Sequence, residues 1–350
     1  MKRFICIAAT VLGIGLGLAI PATANAASAV AAGEARTFKI GLLALPTNAA
    51  FFIAQAKGYF EREGIKPEIT YFGASAPMYP AVVSGDIDVG VTGLTAATFN
   101  LGAKGGFKLI AGVVRELPNY PVNSFMVTDK AYQAGFRSLE DLKGRRLANT
   151  TAGSTHHYTW GALAQKMGIG TQDYSLVPLQ SLENIYAAFQ SGQVDGSIIP
   201  AIQTAEFEMS GIGHVLGWTG DRVQWQITSV FANPATLTKR RDMVERFLRA
   251  FRQAARDYDA AFNQRTAEGK RIKGPGYDEL LGIIAKALNL PAVQVELALP
   301  YVDPEARLDV GSIHDQLKFW QKEKLVPASA DAATLLDLSF VDGHFNIPKN

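Results

Sequence analysis

Ala81-Val82-Val83-Ser84-Gly85-Asp86-Ile87-Asp88-Val89-Gly90-Val91 and Ala187-Ala188-Phe189-Gln190-Ser191-Gly192-Gln193-Val194-Asp195-Gly196-Ser197-Ile198-Ile199 carry one pattern twice. Each reads as a helix of small residues ended by Ser-Gly, then a short strand with Asp near its start. Glycine stops the helix because it enters left-handed backbone space without a Cβ clash. Each strand opens into a loop of small residues, Thr92-Gly93-Leu94-Thr95 in one copy and Pro200-Ala201 in the other. Two matched α/β units predict two lobes with matched strand-end loops and a ligand between them. Ligands of open α/β sheets sit outside the carboxyl ends of strands, and pockets favour domain interfaces.

The same alternation extends outward from the repeat. Phe38–Leu43 reads as the first strand, Pro46-Thr47-Asn48 as a loop in which Asn48 caps a helix, and Glu68–Phe72 as the second strand. Pro77 suits the first turn of the next helix. Leu109–Val114, Arg146–Asn149, Leu176-Val177, Ile198-Ile199 and Val215-Leu216 are further strands, and Asn123–Val127 begins a new stretch. Ser138-Leu139-Glu140-Asp141 has capping-box spacing. Strand and helix in alternation predict an α/β protein whose lobes are each a mostly parallel sheet flanked by helices. Gln226–Ala232 has no repeat partner and reads as the chain crossing back to the first lobe. Leu248, Phe251, Ala255, Tyr258 and Phe262 recur at helical spacing within Arg240–Phe262 and mark its core face. Tyr277–Leu288 and Ile313–Trp320 read as helices with no recognisable chemistry.

Lys2 and Arg3 precede an apolar run from Phe4 to Ile20, Pro21 breaks it, and Ala24-Asn25-Ala26 is an A-x-A site. This is the pattern of a cleaved export signal, with Ala27 starting the mature chain and the periplasm as destination. The expected organisation is a signal peptide at 1–26, a disordered leader at 27–36, the first lobe at 37–120, the second lobe at 121–224, and the return to the first lobe at 225–350. The chain has 34 basic and 32 acidic residues, and the signal takes two basic residues away. The balance that remains gives no footing for nucleic acid. Cys6, the only cysteine, lies inside the signal. The mature chain therefore has no disulfide, thiolate nucleophile or thiolate metal site.

The strand-end rule selects the candidate ligand-binding residues. They are Thr47, Asn48 and Ala49 after the first strand, Ser75 after the second with Gly73 and Ala74, and Gly93, Leu94 and Thr95 after the repeat strand. In the second lobe they are Thr151, Ser154 and Thr155 with Thr150, then His156 and Pro200. Thr150 to Thr155 precede a helix, where free amides and the positive end of the dipole attract an anion and hydroxyls add donors. Plain N-capping by Ser154 or Thr155 is the alternative reading. His156 and His157 are adjacent and diverge on a helix, and His214, His314 and His344 share no ligand spacing with them, so no metal site is expected. One of the pair can hydrogen-bond a ligand. Trp218 and Trp225 flank the return crossover and can stack on a planar ligand, or fill the core. Arg115 can clamp a carboxylate or sulfonate, or pair with Glu116 or a nearby acid. Asp88 and Asp195 start strands rather than end them and read as turn or cap residues.

Three stretches resemble a known family. Gly58-Tyr59-Phe60-Glu61-Arg62-Glu63-Gly64-Ile65, Leu139-Glu140-Asp141-Leu142-Lys143-Gly144-Arg145-Arg146-Leu147-Ala148 and Ala188-Phe189-Gln190-Ser191-Gly192-Gln193-Val194-Asp195-Gly196 are similar, in order and spacing, to elements of periplasmic solute-binding proteins of the nitrate, sulfonate, taurine and thiamine-pyrimidine type of ABC importers. The resemblance implies a two-lobed type II binding fold with two crossover strands and a ligand enclosed by hinge bending. It also implies delivery to an ABC permease in the inner membrane and no catalysis, and the chain is expected to be a monomer without a cofactor. Many sulfonate and nitrate binders carry a Trp-Asp-Pro-like element after the second Asp-Ala strand. Here the stretch is Ile198-Ile199-Pro200-Ala201-Ile202-Gln203, so neither taurine nor nitrate is implied. The expected ligand is a small organic anion, a sulfonate or a carboxylate. The alternatives are a pyrimidine-like or aromatic acid ligand, and a ligand-loaded partner of a periplasmic sensor. Thiamine-pyrimidine synthases resemble the family in fold but carry a cysteine-rich iron-binding motif, which has no counterpart in residues 27–350.

Overall fold

The computed structural model of the protein describes residues 35–346. The signal segment, its cleavage site and residues 27–34 of the leader lie outside the described residues. Arg36 does not belong to a disordered leader, because it opens the first strand and pairs with Ile65.

Among the described residues eleven strands form two sheets. The first sheet holds β1 (Arg36–Leu43), β2 (Ile65–Phe72), β3 (Val89–Gly93) and β4 (Lys108–Glu116). The second holds β5 (Asn123–Thr128), β6 (Arg146–Asn149), β7 (Ser175–Pro178), β8 (Gly196–Pro200) and β9 (Gly213–Trp218). The chain then returns to the first sheet as β10 (Trp225–Ala232) and β11 (Tyr301–Val302). The strand orders are β11-β4-β10-β3-β1-β2 and β7-β6-β8-β5-β9. In the first sheet β1 to β4 run one way, and β10 lies antiparallel between β3 and β4. In the second, β6 to β9 run one way, and β5 lies antiparallel between β8 and β9. The parallel alternation of the sequence is thus interrupted where each strand arriving from the other sheet is inserted mid-sheet. The passages between sheets are short, 117–122 outward and 219–224 on the return.

The repeated pattern is a repeated structure. Helix α1 (Ala49–Ala56) follows β1, and α2 (Met78–Ser84) ends at Gly85, whose φ is +83°. Helix α3 (Ala96–Ala103) follows β3, and α4 (Thr155–Lys166) follows β6. Helix α5 (Leu182–Gln190) ends near Gly192, whose φ is +67°, and α6 (Ala201–Met209) follows β8. Asp88 accepts the Lys39 amide at 2.8 Å, and Asp195 accepts the Arg146 amide at 2.7 Å. Each matched acid thus pins the start of its strand to the neighbouring strand at the end away from the site. Both strands begin later than the sequence pattern marks, because Asp88 and Asp195 serve as caps.

The long helix α7 (Arg241–Tyr258) buries Leu248, Phe251, Ala255 and Tyr258, and Phe262 is buried in the π-helical turn that extends it. Phe251 stacks on Phe51 of α1 with ring centroids 4.5 Å apart. Phe247 stacks between Phe51 and Phe60. Offset aromatic stacks of this kind add to the stabilisation from apolar burial. They fix the N-terminal end of α1 beside the carboxyl end of β1. Helix α8 (Val310–Lys322) packs on β10 and on α4, so it touches elements of both lobes. Among the described residues, no helix is long and apolar enough to cross a membrane.

Candidate functional site

A cavity of about 350 Å³ lies at the carboxyl ends of both sets of strands. Thr47, Ser75, Gly93, Thr95, Thr151, Ser154, Thr155, His156 and Pro200 line it, together with Gly73, Ala74 and Thr150. These loops meet because β1, β3, β6 and β8 point their carboxyl ends into the space between the sheets. Each loop runs directly into a helix, so α1, α3, α4, α5 and α6 all begin at the cavity wall. The first-turn amides of a helix have no carbonyl partner inside it, and the dipoles add a positive potential. Among the described lining residues none is Asp, Glu, Lys or Arg. The cavity therefore offers amides, hydroxyls and one imidazole against a wall that includes Leu43, Leu45, Leu182, Ile202 and Ala298.

Capping occupies some of the hydroxyls. Ser154 accepts the His157 amide at 3.3 Å, and Ser181 accepts the Asn184 amide at 3.2 Å. Ser75 and Thr92 share a hydroxyl–hydroxyl bond of 2.7 Å. Capping and cavity lining are not exclusive, since both need the hydroxyl at the helix mouth. The two histidines divide their roles. His157 accepts the Gly153 amide on Nδ1 at 3.0 Å and sits edge-on to Phe319 and Trp320, so it holds the loop. His156 lines the cavity, and its buried Nδ1 has no partner among the described residues.

Several candidates lie elsewhere. Asn48 is buried and turns its amide to the Leu43 carbonyl at 2.8 Å instead of capping α1. Ala49 and Leu94 are core residues. Trp218 ends β9 opposite Ser124, outside the cavity wall. Trp225 is buried against Tyr158 at 4.7 Å, with its indole N–H donated to Glu116 at 3.1 Å, so no ring face is free to stack. Arg115 pairs with Asp309 at 2.8 Å and lies over Phe345, away from the cavity.

Asn123, Gln180, Ser181 and Leu182 line the cavity and escaped the sequence reading. The repeat contained a signal for three of them. Gln180 and Ser181 precede α5, which Leu182 opens, as Ser75 precedes its counterpart α2. Gln180 also holds a left-handed φ of +71°, an uncommon conformation for a residue with a side chain, while its amide bonds the Thr150 carbonyl at 2.8 Å.

The lobes touch across the cavity. The Ala96 amide at the start of α3 donates to the Gly153 carbonyl at 2.9 Å. Gly153 has φ +81°, and a Cβ placed there would lie 2.7 Å from the Ala96 Cβ.

Burial pushes the imidazoles of His156 and His157 down from 6.5 to about 4, and it pushes Glu116 up from 4.5 to about 7. Between about 4 and 6.5 the unfolded chain binds two more protons at the histidines, so their contribution is complete above 6.5 and is lost as pH falls. Glu116 acts in the opposite sense between 4.5 and about 7, because the folded state holds the extra proton. The net expectation is a stability loss of about 1–2 kcal/mol from about pH 7 to about pH 5. His156→Gln removes one histidine and should leave that profile nearly flat. Urea unfolding at the two pH values checks this, and an unchanged slope in the variant would mean that His156 titrates normally.

Comparison with known proteins supplies the lineage. The alkanesulfonate-binding protein SsuA from Xanthomonas axonopodis pv. citri, bound to MOPS, superposes with a TM-score of 0.68 at 21% identity, covering 88% of this chain and 100% of that one. The periplasmic nitrate-binding protein NrtA from Synechocystis PCC 6803 gives 0.63 at 16% identity, covering 85% and 83%. The fold is therefore the two-lobed α/β periplasmic-binding-protein fold. A curated relative, 4-amino-5-hydroxymethyl-2-methylpyrimidine phosphate synthase of Schizosaccharomyces pombe, is 29% identical over 183 residues, which is 49% of this chain. The chain spans about half of that relative's length, 47%. Residues 46–264, more than half of the chain, match the family described as NMT1/THI5 like, and the chain belongs to that family.

Proposed function

We propose that this chain is the solute-capturing component of an ABC importer and encloses a small organic anion, a sulfonate or carboxylate with an apolar body. One observation carries the reading. Helices of both lobes begin at a shared cavity that, among the described residues, no Asp, Glu, Lys or Arg lines. Such a site balances a negative charge with amides, hydroxyls and dipoles, and it has no carboxylate to pair with a ligand ammonium group. The leucines, Ile202 and Ala298 receive the remainder of the ligand. The passages 117–122 and 219–224 are the hinge, and the closed pair of lobes is what the permease reads. The export pattern of residues 1–26 supports a periplasmic site of action. Binding without turnover is favoured because His156 is the one titratable side chain among the described lining residues.

A pyrimidine-like ligand is the second reading. It is favoured by the pyrimidine phosphate synthase among the relatives and by the unpartnered imidazole of His156. Native mass spectrometry of protein taken from its own cell envelope, followed by thermal shift with the released mass, tests both. A sulfonate or carboxylate that raises the melting temperature with concentration supports the first reading. A neutral ring supports the second. Conversion of the released compound by the purified protein would replace both with an enzyme.

A further inference from the structure

Glu116 ends β4 at the mouth of the first passage between the lobes and is fully buried. Among the described residues its carboxylate has no cationic partner. Arg115, beside it in the chain, is turned to Asp309. Three uncharged groups reach it from three segments. Asn123 Nδ2 at the start of β5 donates to Oε1 at 3.0 Å. Thr219 Oγ1, which opens the return passage, donates to Oε1 at 2.6 Å. Trp225 Nε1 at the start of β10 donates to Oε2 at 3.1 Å. The carboxylate therefore gathers residues from both passages at one point, and burial of an ion without a counterion is costly.

The consequence for the cavity follows from donor and acceptor chemistry. Once Glu116 is ionised, above about pH 7, its carboxylate only accepts, so each of these bonds then has a fixed direction. For Asn123 the NH₂ group must face Glu116, which leaves Oδ1 as the open polar atom of a residue that lines the cavity. Glutamine in place of Glu116 would offer its own NH₂ and let the Asn123 amide turn over. We propose that Glu116 is a positioning residue that turns the Asn123 carbonyl toward the ligand, and that the ligand carries an N–H or O–H donor in addition to its anionic group. The second clause rests on the reading of the cavity as an anion site, and the first does not.

The test has two arms. In ¹⁵N-labelled protein without added ligand, the Asn123 carboxamide and the Trp225 indole N–H are followed by NMR from about pH 5 to about pH 8. Both should move with one shared midpoint near 7 in the wild type, and neither should move in Glu116→Gln. Independent midpoints, or the same movement in the variant, overturn the positioning role. The second arm compares ethanesulfonate with 2-hydroxyethanesulfonate. The hydroxylated probe should bind about three- to tenfold tighter to the wild type, and Glu116→Gln should lose that preference while retaining the plain probe. Asn123→Leu should also lose the preference, read as the ratio of the two affinities whatever the change in the plain probe, which keeps the arm decisive should Glu116→Gln fold poorly. Equal binding of both probes by the wild type, or equal weakening of both in the variants, overturns the ligand requirement. Binding of neither probe to the wild type counts against anion capture, and the NMR arm still decides the role of Glu116.

Discussion

Thr151→Asp is expected to weaken ligand binding by at least about a hundredfold while the melting temperature holds or rises. Thr151 lines the cavity in the loop that leads into α4. A carboxylate there enters the same positive potential that the ligand uses, and negative charge near a helix N-terminus favours the helix. The variant therefore carries its own anion in the site. Two like charges about 5 Å apart at an effective dielectric of about 20 repel by roughly 3 kcal/mol, which corresponds to a factor of more than about a hundred. Among the described lining residues no cation is present to absorb that repulsion. Thr151→Asn supplies the control, since it has the shape of aspartate without the charge. Calorimetry with the ligand identified by mass spectrometry separates the two. Equal binding by the Asp and Asn variants would mean that the ligand is uncharged, and the pyrimidine reading would then stand alone.

What the sequence made legible was local, and what it hid was tertiary. Ser84-Gly85 and Ser191-Gly192 announce helix stops because a positive φ favours glycine whatever surrounds it. The strand-end rule then found Thr47, Ser75, Thr95 and Thr151 because that geometry belongs to the α/β unit itself. Trp225 misled for the opposite reason. Its indole could be placed only by knowing Glu116, 109 residues earlier in the chain. Asn48 looked like a cap, but with its Nδ2 donated to the Leu43 carbonyl its Oδ1 meets no first-turn amide among the described residues. The apolar wall was equally hidden. Leu43, Ile202 and Ala298 come from three distant stretches with no shared pattern, and only the tertiary packing of β1, α6 and the C-terminal segment brings them to one cavity. Asn123 stayed unseen because its value lies in which way its amide faces, and that is decided by a buried partner.

Among the described residues, Gly153 is one of two glycines at which the lobes approach closely across the cavity, Gly93 being the other. Gly153→Ala is expected to lower ligand affinity by about ten- to a hundredfold and to leave the lobes further apart in the loaded protein. The Gly153 carbonyl receives the Ala96 amide of the other lobe at 2.9 Å, so this contact forms only when the lobes meet. A Cβ at Gly153 would stand 2.7 Å from the Ala96 Cβ, too near for two carbons in contact, and alanine has no rotamer through which to yield. The lobes must then stay apart or shift against each other, at a cost of about 1–3 kcal/mol paid in the closed state alone. The φ of +81° adds strain of about 1–2 kcal/mol in open and closed states alike, so it lowers stability without changing affinity. The two costs are separable by measurement. Urea unfolding of the unloaded protein reads the strain, calorimetry reads the clash, and small-angle scattering with ligand reads the distance between lobes. A variant that loses stability but binds and contracts as the wild type does would show that the Gly153–Ala96 contact is incidental to closure. Weak binding together with an expanded loaded form would identify this contact as the place where ligand binding is converted into the shape a permease can recognise.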